Sequence, residues 1–291
     1  MGSTKTNRIA FQGEPGANSD TACRNMFPEM EPFPCPTFED AFNAVESGQA
    51  DLAMIPIENT LAGRVADIHY LLPHSKLHVV GEYFLPIRFQ LMVLPGVALS
   101  EIKSVHSHIH ALGQCRKIIR KHKWKPMVAG DTAGAARQIA DDQDRSQAAL
   151  APRLAAELYK LDIAVENVED EENNVTRFVV LSKTKQWAER CSAEQPILTT
   201  FIFRVRNVPA ALYKALGGFA TNGVNITKLE SYQLGGKFFS SQFYVDVEGH
   251  PEDQNLKLAL EELRFFSDEV RILGVYEGHA FRAEQNEAYE V

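Results

Sequence analysis

Over its first 180 or so residues the chain alternates short apolar runs with stretches of helical pattern, and that alternation leaves few folds open. "RIAFQG" reads as a strand, and "DLAMIPI" as a near-continuous apolar one. Between them "SDTACRNMF" reads as a helix capped by Ser19. "TFEDAFNAVESG" reads as another, with Thr37 as N-cap, acids in the first turn and Gly48 as the stop. Further on, "VADIHYLL", "HALGQCRKIIRKH", "TAGAARQIA" and "RLAAELYKL" read as helices, and "QAALAP" and "TRFVVLS" as strands. The pattern predicts α/β layers around a mostly parallel sheet. "LHVVGEYF" and "FQLMVLP", around 78–94, are two strands in a row. They mark where the chain passes between two lobes.

The alternation stops at residues 183–197, "KTKQWAERCSAEQPI", which read as a linker. A different plan follows. "LTTFIFRVR" is a strand and "AALYKALGGFATNG" a helix; "VNITKLESYQ" and "KFFSSQFYVDVEG" form a hairpin across "LGG". "NLKLALEELRFFS" is a helix and "VRILGVY" a last strand. That β-α-β-β-α-β order over 198–278 is ferredoxin-like. The tail, 279–291, is polar.

Composition narrows the function classes. A net charge of −8 argues against nucleic acid as a partner. The one basic cluster, "RKIIRKHKWK", sits at an expected helix end, where cations complement exposed carbonyls. No apolar run reaches the length of a membrane span and no charged-then-apolar leader opens the chain, so no membrane role is expected. Cys23, Cys35, Cys115 and Cys191 show neither metal spacing nor a paired motif. They read as reduced thiols of a cytoplasmic protein.

In open α/β sheets, ligands gather at the carboxyl ends of strands and at helix starts. There the sequence delivers Glu58, Asn59 and Thr60 after "MIPI", Ser107 and His108 in "VHSHIHALGQC", Asp131 and Thr132 in "GDTAGAA", and Ser19 in "GEPGANSD". Ser19, Ser107 and Thr132 also fit plain helix caps, and His108 a packed histidine. "GEPGAN" lacks the spacing and the lysine of a phosphate loop, and no metal constellation or nucleophile elbow is present. The pattern alone points to a small anion with more than one carboxylate. One further oddity is "NNVTRFVVLS", a strand that opens with Thr176 and Arg177 behind an acidic run.

Those same segments carry a resemblance. "NNVTRFVVLS" resembles the Asn-x-Thr-Arg-Phe signature of prephenate dehydratases, with Asn174, Thr176, Arg177 and Phe178 in place. "IPIENTLAGRV" resembles that family's Pro-Ile-Glu-Asn-Ser/Thr segment, and "SHIHALGQC" its Ser-His-Pro-Gln-Ala-Leu segment. Residues 198–278 look like the regulatory ACT domain that follows in the family. The chain departs from the pattern at Ala17, where a threonine is usual, and at Ile109 and His110, which replace Pro-Gln.

The resemblance implies a periplasmic-binding-protein-like catalytic region of two lobes over 7–182, with the active site in the cleft. The implied reaction is decarboxylating dehydration of prephenate to phenylpyruvate, on the route to L-phenylalanine. Loss of carbon dioxide and water makes the ring aromatic, so no metal or other cofactor is expected. By the resemblance, Thr176 hydrogen-bonds the departing hydroxyl, and Glu58 or His108 supplies the proton. Arg177 would clamp a carboxylate through its planar fork. Phe178, Asn59, Thr60, Ser19, Ser107, Thr132 and Asn174 would complete the substrate site. In the ACT domain, Pro209, Ala210, Ala211 and Leu212 would shape a loop around phenylalanine as effector. Asn225, Glu230 and Ser231 would face it across a subunit interface, in a homodimer or homotetramer. Two alternatives stay open at this point: an arogenate dehydratase, with Glu58 or Asp131 meeting the ammonium group, and a non-catalytic amino-acid sensor.

Overall fold

The computed structural model describes residues 6–190, 196–206, 208–233 and 241–283. The chain opens with β1 (Arg8–Gln12), α1 (Asn18–Met26), β2 (Glu31–Cys35), α2 (Phe38–Ser47), β3 (Leu52–Asn59) and β4 (Gly63–Arg64). Next come α3 (Ala66–His74), β5 (His78–Pro86), β6 (Gln90–Val93) and β7 (Ser104–Ser107). Then follow α4 (Ile109–Gln114), α5 (Arg116–His122), β8 (Lys125–Val128), α6 (Thr132–Asp142), β9 (Gln147–Ala151), α7 (Arg153–Tyr159), β10 (Asp162–Val165) and β11 (Val175–Ser182). The remainder is β12 (Ile197–Val205), α8 (Ala211–Thr221), β13 (Ile226–Gln233), β14 (Ser241–Glu248), α9 (Gln254–Phe266) and β15 (Ser267–Glu277).

These elements fall into two compact units. The first joins the chain up to Val65 with Tyr83–Phe178; the second joins Ala66–Glu82 with the chain from Val179 onward. The 182/183 boundary read from sequence lies close to the second crossing, but α3 and the start of β5 cluster with the C-terminal unit.

Within the first unit two sheets form two lobes. One runs β5-β11-β3-β1-β2, with β1 parallel to both β2 and β3. Its centre is Ile9, Ala10 and Phe11 on β1 and Ala53, Met54 and Ile55 on β3, all fully buried. The other runs β10-β6-β9-β7-β8; β7 is parallel to β8 and β9, while β6 is antiparallel to β9 and β10. The chain leaves the first sheet after β5, enters the second at β6 and returns from β10 to β11. This is the two-lobed, periplasmic-binding-protein-like α/β plan. α2 closes as its sequence demands: Thr37 and Asp40 make a reciprocal capping box, and Gly48 ends the helix in the left-handed region at φ 81°.

Several local readings change. The cap before α1 is Ala17, and Ser19 lies inside the first turn, because the Asp20 carboxylate already accepts from the Gly16 N–H (2.8 Å). His108, not Ser107, caps α4; Asp131, not Thr132, caps α6. The single helix expected over "HALGQCRKIIRKH" is two, broken at Cys115. Asp170 holds the break open, its carboxylate accepting from the Arg116 and Lys117 N–H groups at 2.9 and 3.0 Å. β2, β4, β7, β8 and β10 are strands absent from the sequence reading; of these, β2, β8 and β10 lie at the edges of the two sheets of this unit. Edge strands tolerate proline and polar residues, so "EPFPC" and "KPMV" pair without the apolar signature of a central strand. Cys23, Cys35 and Cys115 are buried free thiols; burial raises all three, Cys35 to about 11. Cys191 lies outside the described residues.

The second unit has the expected β-α-β-β-α-β order. Its sheet runs β13-β14-β12-β15, followed by the start of β5, and the pairings of β12 with β14 and β15 and of β13 with β14 are antiparallel. Phe201, Phe203, Phe219, Leu256, Leu260 and Leu263 are buried in its core. Gly274 pairs with Val79 where an added Cβ would collide with the Val79 backbone. Part of the expected linker is held in this unit: Trp187 bridges to Val275, and Arg190 pairs with Asp253 at 2.9 Å. Residues 191–195, the "LGG" turn and most of the polar tail lie outside the described residues. Among the described residues no helix is long and apolar enough to cross a membrane.

Candidate active site

A cavity of about 340 Å³ opens in the first unit, lined from both lobes. The β1–α1 loop and the first turn of α1 bring Gly13, Ala17, Asn18 and Ser19; the mouths of β3 and β11 bring Asn59, Asn174 and Thr176. From the other lobe come His108, His110 and Gln114 around α4, and Asp131 and Thr132 at the start of α6.

Asn59 organises the floor. Its side-chain oxygen accepts from the N–H groups of Leu61 (2.9 Å) and Ala62 (2.8 Å). The amide orientation is thereby fixed, and the Nδ2 donates to Asn174 Oδ1 (2.7 Å) and Thr176 Oγ1 (2.9 Å). Since the Thr176 oxygen is an acceptor in that bond, its own proton is available for the cavity. Asn174, almost fully buried, donates in turn to Gln114 Oε1 (2.7 Å), so the floor is wired to the other lobe.

Arg177 and Glu58 lie elsewhere. Successive side chains of a strand point to opposite faces. Thr176 on β11 and Asn59 on β3 meet on one face; their neighbours Arg177 and Glu58 meet on the other, with Arg177 Nη1 at 3.0 Å from Glu58 Oε1. The Arg177 side chain is only 3% exposed and its guanidinium lies over the Phe84 ring, at 6.0 Å from the centroid. Neither residue lines the cavity. The guanidinium expected to clamp a substrate carboxylate is thus placed against Glu58, not against the preceding acidic run.

Other expected residues divide in the same way. Thr60 ties the β3 loop to β11, donating to the Asn173 carbonyl (2.8 Å) and accepting from the Val175 N–H (2.9 Å). Ser107 is fully buried and donates to the Leu150 carbonyl at 2.6 Å, binding β7 to β9. Phe178 is core. Ser19, Thr132 and His108 line the cavity. Gln114 and Asn18 line it too and were missed. The signal for Gln114 was its four-residue spacing from His110, which puts both on one helix face.

Charge in the cavity is sparse. Among the described residues no lysine or arginine lines it; those able to become positive are His108 and His110, with ring centroids 5.1 Å apart. The His108 proton affinity is lowered, first by burial and then by His110, with Asp131 opposing. His108 Nδ1 accepts from the His110 N–H (3.4 Å), so in the neutral ring the proton sits on Nε2. Among the described residues no three His, Cys, Asp or Glu side chains gather as a metal site.

In the second unit, Ala210 precedes α8 in the left-handed region, at φ 59°. Pro209 is exposed, Ala211 buried and Leu212 half-buried. Asn225 Nδ2 donates to Glu248 (3.1 Å) and Glu230 pairs with Lys228 (3.4 Å). Glu230 and Ser231 are consecutive on β13, so they present opposite faces of the sheet.

Fold and cavity define a two-lobed α/β enzyme whose chain continues into a βαββαβ unit. Residues 9–186 match the family described as prephenate dehydratase, and the chain belongs to that family. It is 48% identical to a bifunctional N-acyl-homoserine lactone acylase/prephenate dehydratase of Komagataeibacter europaeus, over 94% of this chain and 97% of that protein. Arogenate dehydratase/prephenate dehydratase 1 of Arabidopsis thaliana is 37% identical, over 92% of this chain and 71% of its own length. The structure of a prephenate dehydratase from Arthrobacter aurescens, in complex with L-Phe, superposes with a TM-score of 0.85. That protein is 31% identical, with 93% of this chain and 90% of that one covered.

Proposed function

We propose that the chain converts prephenate to phenylpyruvate and that the Thr176 hydroxyl acts on the departing group. The observation that carries the reading is the fixed Asn59 amide, which takes the Thr176 oxygen as acceptor and leaves its proton to donate. In the reaction the bond from the ring to its carboxylate breaks, and its electron pair makes the ring aromatic as the opposite C–O bond breaks. The leaving hydroxide needs a proton. Threonine is too weak an acid to give it outright, so Thr176 contributes a hydrogen bond that strengthens as charge develops. His108, which lines the cavity, is the better-placed proton source of the two first considered, giving the proton as its imidazolium and returning to the neutral ring, because Glu58 does not line the cavity. Ser19 and Thr132 are read as hydrogen-bond donors to substrate oxygens, and Arg177 with Glu58 as a pair that fixes the strand mouths carrying Thr176 and Asn59.

Three further readings have specific support. Arogenate, the amino analogue, is favoured by the Arabidopsis relative's name, and Asp131 on the cavity wall offers a partner for its ammonium group. An acylase activity is named for the relative at 48% identity. Allosteric binding of phenylalanine by the βαββαβ unit, read as an ACT domain in a self-associated enzyme, is supported by the L-Phe complex of the Arthrobacter protein.

The test is one assay with prephenate, arogenate and an N-acyl-homoserine lactone side by side. Prephenate should be turned over fastest. Thr176→Ala should lower kcat and kcat/KM together by about a hundredfold, while Thr176→Ser keeps much of the activity. Unchanged kcat in the alanine variant would remove the assigned role.

A further inference from the structure

Beside the catalytic cavity lies a larger one, of about 800 Å³, and the two share Ala62, His110 and Gln114. Its wall is the exposed face of α5, with Arg116, Lys117 and Arg120. Two of these cations are engaged: Arg116 Nε donates to the Gly113 carbonyl (2.7 Å), and Lys117 Nζ to the Asp170 carbonyl (2.8 Å). Arg120 stands one helical turn beyond Arg116, on the same face, with no ion pair or side-chain hydrogen bond among the described residues. Across the cavity are two exposed aliphatic side chains, Leu61 at 46% and Ile109 at 54%. Asp170 also faces this space, but its carboxylate is occupied by the backbone of α5; Glu171 is the other acid present.

We propose that this second cavity is an anion antechamber, in which Arg120, flanked by Arg116 and Lys117, takes one carboxylate of the incoming dianion before it passes His110 into the catalytic cavity. The inference rests on the dehydratase reading, because it is the two carboxylates of that substrate that need cations. Among the described residues the catalytic cavity holds two histidines for the purpose, and the nearest full positive charges stand on its approach. Guanidinium groups at the rim together with an aliphatic lip suit an anion built on a hydrocarbon ring. Rim charges act on association more than on chemistry, and they weaken as salt shortens the screening length from about 10 Å at 0.1 M to about 3 Å at 1 M.

The experiment compares Arg120→Gln with Lys121→Gln. Lys121 is exposed on the same helix but outside the cavity, so the loss of charge is equal and the place differs. Prephenate turnover is followed at low and high salt. Arg120→Gln should raise KM about three- to tenfold at low salt, with the gap closing at high salt. Lys121→Gln should stay within about twofold throughout. Equal effects of the two variants, or an Arg120 effect that salt does not change, would overturn the antechamber while leaving the dehydratase reading intact. A wild-type protein that neither binds prephenate in calorimetry nor turns it over would take down both.

Discussion

Thr176 and Arg177 are neighbours on β11 that the strand turns to opposite faces, and the same is true of Glu58 and Asn59 on β3. One face becomes a hydrogen-bonding floor; the other becomes an ion pair beneath it. Glu58→Gln tests that division. It would weaken the partner of a guanidinium that is 3% exposed, while Glu58 itself is 32% exposed, so the cost should be about 1–3 kcal/mol. The melting temperature should fall by several degrees with kcat kept within about tenfold; a proton donor would instead lose kcat by about 10²–10⁴ at near-constant melting temperature. His108 supplies a pH test. Its proton affinity lies below the ordinary 6.5, so between its folded value and 6.5 the unfolded ring binds the proton more readily. Stability is therefore full above 6.5 and is lost as the pH falls through that window. Melting curves from about pH 7.5 to 5 should fall less steeply in His108→Gln than in the wild type; parallel curves would contradict the assignment.

At the scale of elements, the β1–α1 loop depends on one backbone position. Gly16 has φ +91°, and a Cβ there would sit 2.8 Å from the Ala155 Cα of α7. The loop is further tied to that helix by Tyr159, whose hydroxyl donates to the Pro15 carbonyl at 2.7 Å. Because the same loop sets the start of α1, where Asn18 and Ser19 line the cavity, Gly16→Ala should push it off α7, raising KM and costing more than about 1 kcal/mol of stability. Both are read from one preparation by steady-state kinetics and thermal melting. A loss of stability with unchanged KM would separate the loop from the site.

At the scale of the whole molecule, no described residue of the βαββαβ unit lines the proposed catalytic cavity, and the unit's proposed role is to sense the end product. Ala210 is strained where it opens α8, since an L-residue in the left-handed region costs about 1–2 kcal/mol. Calorimetric titration with phenylalanine should give a binding isotherm, and phenylalanine should inhibit turnover. By linkage, prephenate should weaken phenylalanine binding by the same factor that phenylalanine weakens prephenate binding. Ala210→Gly should bind phenylalanine at least as tightly while melting at or above the wild-type temperature. Neither heat nor inhibition at millimolar phenylalanine would leave the unit with an assembly role alone.

The sequence by itself determined what local forces set. The alternation of apolar runs and helical patterns specified two kinds of α/β unit, and Thr37, Asp40 and Gly48 set the ends of α2 within a few residues of chain. It also carried the family, because the Thr-Arg-Phe and Glu-Asn-Thr segments are contiguous. Tertiary structure alone decided the rest. β2, β8 and β10 exist as strands because a neighbouring strand offers them a ladder, not because of their composition. Cys115 breaks a helix because Asp170, far along the chain, caps the next one. The Thr176 oxygen is taken as an acceptor by Asn59, 117 residues away, which leaves its proton to donate, and the Ser107 hydroxyl is held by the Leu150 carbonyl. A side chain's donors and acceptors can be read from its identity, but which of them remain unused depends on partners that only the folded chain brings within 3 Å of it.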